Sequence, residues 1–130
     1  MEIKFNDATP NRPEGERVLN APFVFIDIPD YIRQLLEEDA WEKNDRNSIT
    51  VYKNERITTV IVCLHESAVI NNNSIDGYLS IQVIDGKIKL QIETEDTEMV
   101  KGQSVALHRY INHSIEALQD SILLLTTTEP

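Results

Sequence analysis

The chain is short of the residues that staple, punctuate or anchor a protein: one cysteine, four glycines and one tryptophan in 130 residues. A single cysteine excludes an internal disulfide framework. That residue, Cys63, sits in the apolar run ITTVIVCL without the basic or helix-terminal surroundings that activate a thiol, so it reads as buried and inert. So few glycines leave no Gly-rich phosphate loop, and no nucleophile elbow is present. No stretch approaches the ~18 consecutive apolar residues of a membrane span. The opening MEIKFNDATP is polar and has no apolar leader core, so a cytoplasmic location is expected. Bases are scarce as well, 12 against 22 acids, for a net charge of -10. Such a surface repels phosphate backbones and anionic lipid, which argues against nucleic acid and membranes as partners.

What is present describes one ordinary domain. At this length about two-thirds of the unfolded surface can be buried without a disulfide or metal. Hydrophobic residues make up 41% and charged residues 26%, the balance of a globular protein. Within that unit, residues 1–48 read as an N-terminal arm and helix, and residues 49–130 as a β-barrel. Residues 1–22, with Pro10, Pro13 and Pro22, form an extended arm, followed by a short edge strand near 23–26. Asp27-Ile28-Pro29-Asp30 then signals a helix start: a capping Asp, an early Pro and an acid in the first turn. Over 29–43, Ile32, Leu35, Leu36, Ala40 and Trp41 fall near one face, which predicts a short amphipathic helix.

From Ile49 the apolar period changes to two. The runs ITVY, ITTVIVCL, YLSIQVI, KIKLQI, QSVALH, HSIEAL and SILLLTT are separated by polar turns, the pattern of an all-β sandwich or barrel. The acid clusters Glu37–Glu42 and Glu93–Glu98 read as solvated faces. Asp85-Gly86 is a residue pair typical of two-residue hairpin turns. With that loop, Val83 is expected opposite Ile88, Ile81 opposite Leu90 and Leu79 opposite Ile92, all apolar. The other face then pairs Ser80 with Gln91 and Gln82 with Lys89, all polar, and a one-residue slip would destroy both alignments. The buried face is therefore expected to carry Leu79, Ile81, Val83, Ile88, Leu90 and Ile92.

The segments GYLSIQVIDGKIKLQI and VKGQSVALHRYINHSIEALQDSILLLT resemble the second half of a small cupin, and the remainder is similar to compact single-barrel members with an N-terminal helix. The resemblance implies an all-β fold, a single antiparallel cupin-type barrel or jelly roll with a short N-terminal amphipathic helix. It also implies a homodimer formed by packing sheets. Carried over residue by residue, Gly86 and Gly102 fit the glycines of the two motifs. The glutamate ligand falls on Leu79, the His-x-His pair on Asn71 and Asn73, and the later Pro and Gly positions on His108 and Tyr110. Only His113 matches a metal ligand. A bound Zn, Fe or Mn needs about three N, O or S donors, and neutral amides are poor substitutes. The expectation is a pocket without metal, cofactor or catalytic residue, lined by His113, Asn71 and Asn73 and joined by His65 if that side chain turns inward. The Asn run also reads as a plain loop.

Three functions fit. One is a metal-free cupin that binds a small polar ligand, such as a sugar-like polyol, or serves as a sensing or accessory module. Another is an isomerase, dioxygenase or hydrolase-like enzyme using His113, with or without a metal. The third is a structural homodimer with no ligand, joined through its exposed sheet and the helix at 30–43.

Overall fold

The computed structural model describes residues 4–6, 17–73 and 75–130. Of the arm expected over 1–22, residues 1–3 and 7–16 lie outside the described residues, as do Ser74 and the side chains of Asn72 and Asn73. A small antiparallel pair comes first, β1 (Lys4–Asn6) and β2 (Arg17–Asn20). The strand expected at 23–26 is absent, and strand geometry ends before Pro22 instead. Proline locks φ and lacks the N–H that a ladder needs.

The helix begins where its signals lie. Asp27 caps α1 (Ile28–Glu37) by accepting the Asp30 N–H at 3.0 Å, with Pro29 in the first turn. The single helix expected to Lys43 is instead two, because Glu38 is extended (φ -74°, ψ 145°) and α2 (Asp39–Lys43) starts afresh. The break has a partner: the Asn47 amide donates both to the Leu35 carbonyl at 2.9 Å and to Glu38 Oε1 at 3.0 Å. A terminal carbonyl with no partner inside the helix is thereby satisfied from the sheet beneath.

The remaining strands are β3 (Arg46–Lys53), β4 (Ile57–Leu64), β5 (Val69–Asn73), β6 (Tyr78–Asp85), β7 (Lys87–Ile92), β8 (Glu95–Val100), β9 (Ser104–Leu107), β10 (His113–Ala117) and β11 (Ser121–Thr128). They form a five-stranded sheet, β3-β4-β11-β6-β9, and a four-stranded sheet, β5-β10-β7-β8, with every pairing antiparallel. The inward faces share one apolar core that includes Leu64, Ile81, Val83, Ile88, Leu90, Ile115 and Leu123. The helices cover part of the outer face of the five-stranded sheet, where Leu35 meets Ile49, Val51, Ile61 and Cys63. Hence β4 is apolar on both sides: Val60, Val62 and Leu64 face the opposite sheet, and Ile61 and Cys63 face the helices.

The expected β6–β7 hairpin does not form. β6 pairs with β11 and β9, whereas β7 pairs with β10 and β8, so Asp85-Gly86 carries the chain from one sheet to the other. The predicted buried face survives this change: Leu79 through Leu90 of that set are buried and Ile92 is half-buried. Period two records which way side chains point, not which strand lies alongside. Gly86 makes the crossing possible with φ at +91°, and a Cβ there would lie 2.5 Å from the Asp120 carbonyl oxygen. Among the described residues no helix is long and apolar enough to cross a membrane.

Candidate functional site

His113 opens β10, between Asn73 of β5 and Ile92 of β7, and its side chain is 5% exposed. Like Ile115 and Ala117 it is buried, in the alternation of one strand face. Its Nδ1 lies 3.2 Å from the Ile111 carbonyl; since that oxygen can only accept, Nδ1 carries the proton in the neutral ring. Leu79, where the resemblance calls for a glutamate, is 9% exposed and belongs to the apolar core. Asn71 lies on β5, an edge strand, with its side chain exposed. The Asn run is thus the end of a strand, not a loop; the side chain of Asn73 lies outside the described residues.

His65 is at the opposite end of the sandwich. It follows β4, whose last residue Leu64 pairs with Ser121, while nearby Ser67 donates its N–H to Ala117 at the far end of β10. Four residue-to-residue steps of strand separate Ala117 from His113, roughly 13 Å of chain. The His65 ring stacks on Trp41 with centroids 3.5 Å apart, and Nε2 lies 2.6 Å from the Trp41 carbonyl. Its Nδ1 is 3.9 Å from Asp120 Oδ1. Thus His65 pins α2 to the barrel end, and it does not converge with His113.

Among the described residues no three His, Cys, Asp or Glu side chains gather as ligands. At the motif positions His113 supplies one imidazole and Leu79 no donor, and a single donor falls short of the three protein ligands that such a centre requires. Cys63 offers no nucleophile either. It is fully buried beneath the helices, and burial pushes its thiol up to about 11. Ellman's reagent is therefore expected to leave the folded protein unlabelled at mildly alkaline pH and to titrate one thiol once denaturant is added. Because the folded value lies above the ordinary 9.0, its contribution to stability is complete below pH 9 and is lost as pH rises through 11.

The polar side chains that do converge lie on the outer face of the five-stranded sheet, beyond the helices. Register places Thr126, Ser80 and Ala106 side by side on β11, β6 and β9, and Thr128 beside Tyr78 in the next rung. His108 follows β9 and meets Tyr78 edge-on, with centroids 4.9 Å apart. These residues, with Leu79 and Leu107, line a cavity of about 310 Å³. Along this face of β11, Ile122 and Leu124 pack under the helices, and Thr126 and Thr128 continue the row where the helices no longer cover it. The Thr126 and Thr59 hydroxyls are 3.4 Å apart. Gly77 permits the tight end of this groove, because a Cβ there would sit 2.7 Å from the Thr128 carbonyl oxygen.

Two loops are clamped beside it. Arg109 donates to Asp76 Oδ1 from Nε at 3.0 Å and from Nη2 at 2.6 Å, which holds the Asp76 carboxyl below the usual carboxylate range. Tyr110, at the position where the motif has glycine, is left-handed (φ +61°) and donates its N–H to the Ile75 carbonyl. Among the described residues no carboxylate lines the cavity, and His108 is the titratable group there besides Tyr78. Hydroxyls, an aromatic face and an imidazole suit a neutral polar ligand with a flat or apolar side. Sequence reading reached His108 only as the residue at the motif's proline position and missed the rest. Thr126, Thr128 and Ser80 are ordinary outward-facing strand residues until the sheet order sets them side by side.

No family model matches the sequence, and no curated protein matches it. Solved structures do. The cupin domain of Cnp3 from Schizosaccharomyces pombe superposes with a TM-score of 0.64 at 15% identity, covering 100% of this chain and 89% of that one. A cupin domain of an XRE-family transcriptional regulator from Enterobacter cloacae gives a TM-score of 0.60 at 13% identity, covering 67% of this chain and 99% of that one. Salicylate 1,2-dioxygenase from Pseudoaminobacter salicylatoxidans gives 0.70 at 15% identity, covering 79% of this chain and 32% of that one. The chain therefore has the cupin fold. A fold shared by an enzyme and by a domain of a regulator does not choose between those roles.

Proposed function

We propose that this cupin works by binding rather than by catalysis: a metal-free module that holds a small neutral polar ligand, a sugar-like polyol, and so serves in sensing or as an accessory domain. The observation that carries the reading is the groove of Tyr78, Ser80, His108, Thr126 and Thr128, whose volume of about 310 Å³ is that of a small-ligand site. A polyol ring laid on Tyr78 would present its hydroxyls to Ser80, Thr126 and Thr128, and the apolar floor would take its C–H face. The interior supports the metal-free part, since Leu79 stands among core residues where a metal site needs a charged donor. That a cupin domain is part of a transcriptional regulator accords with a sensing role.

A thermal-shift screen of monosaccharides and polyols, with and without chelator, tests this. A ligand at a hundred times its Kd stabilises by about 2.7 kcal/mol, several degrees in Tm. The shift should vanish in Tyr78→Ala and Ser80→Val, each measured against its own ligand-free Tm. It should persist in His113→Ala and in the presence of chelator. A screen without hits, or a shift that chelation removes, would sink the proposal.

A further inference from the structure

The β6–β9 ladder stops one rung short of the aromatic wall of the groove. Its last pair there is Leu79 with Leu107, and the next residues along, Tyr78 and His108, meet through their edge-on rings. Past them the two chains run into loops, and the loops are joined. Arg109, next to His108, donates from Nε and Nη2 to Oδ1 of Asp76, two residues before Tyr78, at 3.0 and 2.6 Å. The Tyr110 hydroxyl donates to the same carboxylate and accepts from Arg109 Nη2 at 3.2 Å. The Arg109 guanidinium also lies over the Tyr110 ring, 5.1 Å from its centroid, and the Tyr110 N–H donates to the Ile75 carbonyl at 3.0 Å.

This latch adds little to folding. Its ion pair is 34% and 58% exposed, a setting in which such pairs contribute weakly. Tyr110 holds a left-handed backbone, φ +61°, that a bulky side chain rarely adopts. Strain of that kind persists where the surroundings over-determine it, and it gathers at binding sites. Arg33 and Arg46 pair with carboxylates on their own stretch of chain, and Lys87 and Lys89 pair across adjoining strands. Arg109 instead spans the two loops that lead into Tyr78 and away from His108.

Granted the polyol reading of the groove, the geometry points to Arg109 as its positioning residue: through Asp76 and Tyr110 it sets the Tyr78 and His108 rings in place before a ligand arrives. Arg109 does not itself line the groove. The task needs a guanidinium, because two nitrogens of one planar fork engage the carboxylate while the flat face lies on Tyr110. A wall set in advance raises affinity, since its side chains need not be immobilised at the moment of binding. With two rings left to order, loss of the latch should weaken binding about tenfold.

Nuclear magnetic resonance on the full chain without ligand reads the latch directly. A nuclear Overhauser cross-peak should join the ring protons of Tyr78 and His108. Arg109→Ala and Asp76→Asn should lose it, Arg109→Lys, which keeps the charge but not the fork, should retain it in weakened form, and Arg33→Ala should leave it intact. Titration calorimetry with glucose and with myo-inositol, two neutral ring polyols, reads the consequence. The dissociation constant should rise about tenfold in Arg109→Ala, while the ligand-free Tm stays within a few degrees of wild type because the pair is exposed. A cross-peak absent from the wild type, or one that persists in Arg109→Ala, overturns the role given to Arg109. So does a variant that loses the cross-peak yet binds either compound as tightly as the wild type. A wild type that binds neither compound, and nothing in the thermal-shift screen, sinks the polyol reading alone, and the cross-peak still decides the latch.

Discussion

Gly86→Ala is expected to destabilise the protein by ~3–5 kcal/mol, a large share of the 5–15 kcal/mol that holds a domain of this size together. Two costs coincide there. The residue sits at φ +91°, where a side chain is strained by about 1 kcal/mol or more. The added Cβ would also strike the Ser121 hydroxyl and lie 2.5 Å from the Asp120 carbonyl oxygen and 2.7 Å from Ser121 Cα, and backbone cannot move aside cheaply. The corner is knitted around that point. Ser121, 1% exposed, accepts the Lys87 N–H at 3.1 Å, and its hydroxyl lies 2.8 Å from the Gln119 carbonyl. Leu118 donates its N–H to the Lys87 carbonyl at 2.9 Å. Displacing Gly86 therefore loosens the crossing from β6 to β7 and the start of β11 together. Gly102→Ala is the control: its φ is +89°, but a Cβ there meets nothing within 4 Å, so only the conformational cost of ~1 kcal/mol remains. Chemical denaturation of both variants separates the effects. Equal losses would mean that close approach contributes nothing at Gly86.

The same corner shows what the sequence made legible. Alternation in YLSIQVI and KIKLQI identified the buried side of both strands, because a pleated strand alternates whatever its neighbour. It could not identify the neighbour, and the two-residue turn pointed to the adjacent strand in sequence. β7 does pair with the next strand, β8, but the other neighbours, β11 beside β6 and β10 beside β7, lie more than twenty residues away and carry the same alternation. Some strands were missed for a different reason. β8, read as an acid cluster, is an edge strand with five exposed residues and Met99 as its buried one, a pattern typical of exposed edges. β5 was hidden by its three asparagines. The helix start was legible because Asp27, Pro29 and Asp30 act locally, whereas the break at Glu38 depends on Asn47, nine residues further along. The candidate site follows the same division. The leucine in place of a ligand can be read from the motif alone, but a groove built from β6, β9 and β11 exists only once the sheet order is known.

Leu79→Glu, which writes the motif's carboxylate back, should cost ~2–4 kcal/mol near pH 7 and should not be rescued by metal. Leu79 is 9% exposed at one end of the inner face, with Ile81 and Val83 following it and Leu107 across the β6–β9 ladder. A carboxylate there loses hydration and gains no cation, so its folded pKa rises above the ordinary value of about 4.3. The sign of the pH dependence follows. A group with a raised folded pKa favours folding below its unfolded value, and that contribution is lost as pH rises through the folded one. The deficit relative to wild type should therefore be largest near neutrality and shrink toward about pH 4, where the carboxyl is substantially protonated in both states. Added Zn, Mn or Fe should leave the variant's Tm unchanged. The introduced carboxyl and His113 would supply two donors against the three usually needed, Asn71 is exposed on an edge strand, and His65 is fixed to Trp41 at the other end. A metal-specific rise in Tm would show that a third donor can reach the interior. The metal-free reading of the barrel would then have to be given up.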